Sequence, residues 1–205
     1  MQPLVTVQEF ESWVGIQSNT ANDALASVII NGWTQYVYWV TGRQPDLFVS
    51  QTSFTEVRDG NGSNVMWLLN DPIISVSSVI VNGQTIPAST GYGNGGWFIQ
   101  QNADSIAIRS SANYIGFPFP HATRSFVRGK GNVTISYTAG YSTLPPDLYL
   151  ATEKACTVIW NRRLREDEGS KVIPQTGQSN YRSWPFPPDV VEMLRSYRRT
   201  AMVGA

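Results

Sequence analysis

One histidine, His121, and one cysteine, Cys156, bound the chemistry open to this chain of 205 residues. A Ser–His–Asp triad would have to be built on His121, inside Phe117-Pro-Phe-Pro-His121, and no Gly-x-Ser-x-Gly turn supplies a nucleophile. A lone His and a lone Cys make neither a Cys/His zinc cage nor an intrachain disulfide. Carboxylates alone could hold magnesium or calcium. Here, however, Asp59, Asp71 and Asp104 stand at turn positions, where aspartate bonds to its own backbone, and no EF-hand spacing occurs. The glycine-rich stretch Gly91–Gly96 lacks the Lys-Ser/Thr ending of a phosphate-binding loop and opens no helix. No pair of acids is marked out for glycosidase work. The residues therefore point away from an enzyme, with no catalytic residue, no metal ligand set and no cofactor.

What remains with chemical character is arginine. Arg162, Arg163 and Arg165 stand together, and Arg195, Arg198 and Arg199 flank Tyr197 near the end. From Ala151 onward nine basic residues face six acidic ones, giving +3; the net charge is zero, so the remainder carries −3. That asymmetry is too small to mark a nucleic-acid-binding protein. The first cluster reads as a solvated helix end facing Glu166, Asp167 and Glu168, or as a contact for DNA phosphates or an acidic partner.

Charged residues make up 15% of the chain, against about 25% in an ordinary domain. Seven Trp, nine Tyr and eight Phe accompany this low charge. Interface centres share that balance, as does a β-rich fold with Ser, Thr and Asn on its surface. Residues 1–10 lack the basic start and apolar stretch of a signal peptide, and no apolar run approaches a membrane span of about 18 residues. The expectation is a soluble protein made in cytoplasm.

The elements that must position these residues are legible in part. Thr6-Val-Gln-Glu9 is a capping-box pattern opening a short helix that stops at Gly15. Asn19 to Asn22 offers a second N-cap. Leu25, Ile29, Tyr36 and Val40 then repeat at helical spacing as far as Gly42. From about residue 51 the period changes. Val133, Ile135 and Tyr137 alternate with polar neighbours, and Asp59-Gly60-Asn61-Gly62 predicts a hairpin joining Phe54–Arg58 to Val65–Leu69. Ile73–Val81 predicts a strand turning at Asn82-Gly83 into Gln84–Ile86, with further strands at Trp97–Ile99 and Ile106–Ile108. Helix returns after Pro145-Pro146, with Leu148, Ala151, Ala155 and Ile159 as its apolar stripe. A polar loop is expected from Glu166 to about Pro187. A last helix near Pro188-Asp189 places Val190, Leu194, Tyr197 and Ala201 on one face. The fold class is α+β: a helical framework over 1–50 and 140–205, with an antiparallel β domain inserted at 51–139.

The order of these pieces resembles the head–tail connector (adaptor) family of long-tailed double-stranded-DNA phages. The resemblance rests on Thr41-Gly-Arg43 closing the long helix, Asp59-Gly60, and the run Pro72-Ile-Ile-Ser-Val76-Ser-Ser-Val79-Ile-Val-Asn-Gly83. It continues through Tyr137-Thr-Ala-Gly-Tyr141, Pro145-Pro-Asp-Leu148, Arg162-Arg163 and Leu194-Arg-Ser-Tyr197-Arg198. The segment from Thr90 to Arg128 is longer and more aromatic than the family pattern. The resemblance implies a structural virion protein of the neck, assembled in host cytoplasm. It would form a ring, twelve-fold as a rule, beneath the portal, prolonging the DNA channel and receiving the next neck or tail protein. Under that reading Val190, Leu194, Arg195, Tyr197, Arg198 and Arg199 would dock on the portal. Trp33, Tyr36 and Val37 would form the subunit interface, and Arg162, Arg163 and Arg165 would face packaged DNA or an acidic partner. A competing reading is a carbohydrate- or receptor-binding β module using exposed Trp67, Trp97 and Trp184. Another neck or tail-completion protein is a near variant of the first.

Overall fold

Thr6 opens the first helix, α1 (Val7–Val14), with both halves of the capping box formed: its hydroxyl accepts from the Glu9 amide and the Glu9 carboxylate accepts from the Thr6 amide. Asn19 caps α2 (Thr20–Thr41) by accepting from the amides of Ala21 and Asn22. Gly15 and Gly42 end the two helices in the left-handed conformation. The structure is a computed structural model describing residues 1–44, 46–91, 94–109, 125–162, 170–173, 177–180 and 186–199, of which 170–180 by backbone only.

Seven strands follow: β1 (Thr52–Gly60), β2 (Val65–Trp67), β3 (Ile73–Val81), β4 (Gln84–Ile86), β5 (Gly96–Ile99), β6 (Ser105–Arg109) and β7 (Gly129–Ala139). They make two antiparallel sheets, ordered β1-β7-β3-β4 and β2-β6-β5. The chain then forms α3 (Pro146–Arg162), a hairpin of β8 (Ser170–Ile173) and β9 (Gly177–Asn180), and α4 (Pro188–Ser196). The fold class is α+β. Met1–Pro45 with Leu144–Thr200 pack as one compact unit, and Asp46–Thr143 as another.

In the β unit, Val133, Ile135, Tyr137 and Ala139 of β7 point inward and meet Val79, Val81, Met66, Ile106, Ile108 and Phe126 in one core. The opposite face of β7 carries Thr134, Ser136 and Thr138, and the last two share hydroxyl hydrogen bonds with Thr55 and Ser53 of β1. This is the period-2 alternation of a half-buried strand. Asn82 and Gly83 both take positive φ, 50° and 76°, and so form the tight turn between β3 and β4.

The Asp59–Gly62 segment turns as its composition predicts but does not join a hairpin. β1 pairs with β7, and β2 with β6, so the turn carries the chain from one sheet to the other. Asn61 closes it locally, accepting from the Ser63 amide and donating to the Val65 carbonyl. Turn chemistry is local, whereas strand partners are chosen by the core. Part of the polar stretch expected as loop, 170–180, is the β8–β9 hairpin instead. Its signal was the β-branched run Val172-Ile173, ahead of Gly177.

Candidate assembly surfaces

Cys156 lies fully buried on α3, and burial together with the Glu153 carboxylate pushes its thiol up to about 12. A thiol so protonated is no nucleophile. Among the described residues no group of three His, Cys, Asp or Glu could hold a metal ion. His121 lies outside the described residues. No described helix is long and apolar enough to cross a membrane.

Glu153 is the unusual acid. It is fully buried, and neither carboxylate oxygen has a hydrogen-bond partner of ordinary geometry. Burial raises its proton affinity, the Tyr149 hydroxyl opposes this, and Glu9 of α1 adds to it, leaving the group at about 6. The folded value stands above the ordinary 4.5, so the unfolded chain gives up this proton first as pH rises. Stability from this group is therefore full at low pH and lost as pH climbs through about 6. Glu153→Gln should remove that loss and stabilise the helical unit at neutral pH by roughly 1 kcal/mol, the full linkage being reduced by local solvent. Thermal unfolding of both forms between pH 4 and 8 checks this. A wild-type-minus-variant difference that is flat across that range would contradict it.

α2 carries one charged residue, Asp23, in 22 residues. Its inward face holds Ala26, Ile29, Ile30, Trp33, Val37 and Tyr38. The Trp33 indole N–H donates to the Thr152 hydroxyl of α3 at 3.2 Å, and its ring meets Phe186 edge-on at 4.7 Å. Trp33 and Val37 are thus closed inside their own unit, at 2% and 0% exposure, and cannot also present a face to a neighbouring subunit. Tyr36 is half-buried, between Trp39 and Phe186. The outward stripe is a different one: Val28, Gly32, Gln35 and Trp39, at helical spacing, with Leu25 beside them. Val28 and Trp39 are 69% and 75% exposed. A side-chain carbon added at Gly32 would meet nothing.

α4 is tied into the same unit. Val190 and Leu194 are buried, Lys154 of α3 bonds Asp189 at 2.6 Å, and the Tyr197 hydroxyl donates to Asp147. The Lys154 ammonium holds the Asp189 carboxyl below its usual range. Arg43 donates to the Tyr197 carbonyl at 2.9 Å, and the Arg199 amide donates to the Thr41 carbonyl. The apolar stripe of α4 is therefore used in closing its own bundle, which corrects the expectation that Val190 and Leu194 are open to a partner. Arg195 and Arg198 are exposed, Tyr197 and Arg199 half-buried. Arg195 pairs with Glu192 at 3.0 Å. Arg162 is exposed at the end of α3, while Arg163 and Arg165 lie outside the described residues.

Of the tryptophans of the competing reading, the two among the described residues do not come together. On the three-stranded sheet, Trp67 stands opposite Ser105 and Trp97 opposite Ile108. Ser105 and Ile108 are three residues apart on β6, so the two indoles belong to opposite faces. Trp97 is moreover packed against the core, and Trp184 lies outside the described residues.

The chain shares its fold with solved chains of particle necks. It aligns with a chain from the neck of the native GTA (gene transfer agent) particle, computed with C12 symmetry, at a TM-score of 0.52 and 15% identity. The alignment covers 97% of this chain and 91% of that one. A chain from the neck of the empty GTA particle, computed with C6 symmetry, aligns at a TM-score of 0.52 and 17% identity, covering 98% and 93%. No family model and no curated protein matches the sequence. At such identities the shared property is the fold, and it extends over nearly the whole of both chains.

Proposed function

We propose that this chain is a structural head–tail connector: an adaptor forming a ring under the portal in the neck of a phage-like virion. The ring would extend the DNA channel and dock the next neck or tail protein, without enzymatic activity. The supporting observation is the end-to-end fold likeness to neck chains from particles treated with C12 and C6 symmetry. Agreement over 97% of the chain takes in both the helical framework and the inserted β unit, so it is no likeness of a common submotif. Assembly takes place in host cytoplasm, and the ring is homo-oligomeric and twelve-membered, by analogy with the C12 symmetry of the similar neck.

The ring contact is placed on the outward stripe of α2 rather than on Trp33 and Val37. Val28 and Trp39 offer uncharged apolar area, and Gly32 between them lets another backbone come close. Arg195 of α4 and Arg198, just beyond its end, serve acidic surfaces, on the portal or on a neighbour. Arg162, Arg163 and Arg165, repeated around a ring, give a band of positive charge for channel DNA, which would act without reading sequence.

Trp39→Asp should abolish ring assembly and leave the monomer folded. Its side chain is largely in water, so the fold loses little, whereas a charge in an interface centre stays unpaired in every copy. Sedimentation velocity and circular dichroism of wild type and variant read the two effects separately. A variant that assembles like wild type would move the interface elsewhere.

A further inference from the structure

We infer that the groove between α1 and α3 is a receptor for a guanidinium, and that its occupant is Arg198 of a second copy of this chain. The groove is lined by Gln8, Glu9, Ser12 and Trp13 of α1 and by Tyr149 of α3. Glu9 and Trp13 are one turn apart on α1, and Tyr149 and Glu153 one turn apart on α3, so two helix faces offer a carboxylate and an aromatic ring each. Glu9 uses one oxygen, Oε2, in capping Thr6. Trp13 is half in water.

Glu153 is the observation that points to a ligand. A buried carboxylate is ordinarily bonded or paired, and this one has neither oxygen bonded at ordinary geometry, with only the Tyr149 hydroxyl acting on it as a donor. It feels both the Tyr149 hydroxyl and the Glu9 carboxylate, the two groups that line the groove above it. Two acids of like sign side by side repel until a cation comes between them. A planar cation fits this setting better than an ammonium: it can lie on the indole face while its fork meets carboxylate oxygens on either side.

Charge and placement select the occupant. Arg198 is exposed, and its guanidinium has no ion pair among the described residues, whereas Arg195 already has Glu192. On α3 the residue after Glu153, Lys154, reaches Asp189 of α4, while Glu153 itself faces Glu9 of α1. Adjacent helical residues point about 100° apart, so α4 and the groove occupy different flanks of α3. A donor on one flank and an acceptor on another make a head-to-tail contact, the kind that closes rings. The inference rests on the ring proposed above and assigns Arg198 to the neighbouring subunit rather than to the portal.

The test mixes two single variants beside the contact, Ser12→Cys in the groove and Ser196→Cys two residues before Arg198, under conditions where wild type forms rings, and adds a short bis-maleimide. Both positions are exposed, so the fold is kept, and the native Cys156 is buried from the reagent. The expected result is a covalent dimer in the mixture and little in either variant alone. In parallel, Arg198→Glu should raise the concentration needed for assembly at least tenfold, and Arg198→Lys should restore most of it. Rings that form normally with no cross-link in the mixture, or with Arg198→Glu, overturn this contact and leave the ring standing. A wild type that never forms rings, alone or on portal-bearing heads, overturns both.

Discussion

Trp33→Asp should unfold the helical unit, where Trp39→Asp, six residues along the same helix, should not. Trp33 is 2% exposed, with its indole N–H bonded to Thr152 and its ring against Phe186 and Tyr36. Truncating a buried tryptophan costs about 3–5 kcal/mol in lost contacts and cavity. An aspartate there must also be buried without a cation or be held neutral, which adds several kcal/mol more. Whole domains are stable by about 5–15 kcal/mol, so the sum approaches or exceeds what the unit has. Circular dichroism should show loss of most helical signal for Trp33→Asp and almost none for Trp39→Asp. A folded Trp33→Asp would mean that α2 is turned about its axis from the arrangement described.

Tyr137→Phe should destabilise the β unit by about 2–4 kcal/mol although it removes a single oxygen. That hydroxyl donates to Glu56 and accepts from the Asn70 backbone amide at 3.1 Å and its side-chain amide at 3.3 Å. Glu56 also accepts from the Leu69 amide at 2.9 Å. Without the hydroxyl, the Asn70 backbone amide is left without its partner in a buried place, at its full desolvation cost, and Glu56 Oε1 keeps the Leu69 amide alone. Burial and the neighbouring Glu56 charge keep the phenol protonated far above its ordinary range, so it acts as donor at any physiological pH. Urea unfolding, followed by a lowered midpoint at unchanged slope, measures the effect. A midpoint equal to wild type would mean that water replaces the bonds.

How much of this could be read beforehand follows from the range of each interaction. Thr6, Glu9, Asn19, Gly15 and Gly42 act within one turn, so the bounds of α1 and α2 were legible in five residues. The alternation at Val133–Tyr137 likewise fixed which face of β7 is inward. It also marked Tyr137 as merely apolar, since its partners Glu56 and Asn70 lie 81 and 67 residues away. The facing of α2 was not legible. Apolar and aromatic side chains occur nearly all round this helix, so its own sequence does not choose an inner stripe. Thr152 and Phe186 choose it by taking up Trp33, and what is left outside is Val28 and Trp39. In α4 the same ambiguity ran the other way: a stripe with flanking arginines suits docking on a partner or on one's own bundle. Lys154, Asp147 and Thr41 bind α4 and its end into the bundle. Sequence order made the connector resemblance visible; packing decides which surfaces the chain has free.

The most direct test of the central claim is electron microscopy of the purified chain, alone and added to DNA-filled heads that carry a portal but no neck. The account predicts closed rings with a central channel, formed in solution or seated at the portal vertex, and twelve subunits in rotational averages. A chain that stays monomeric in both settings and leaves the portal vertex bare would contradict it.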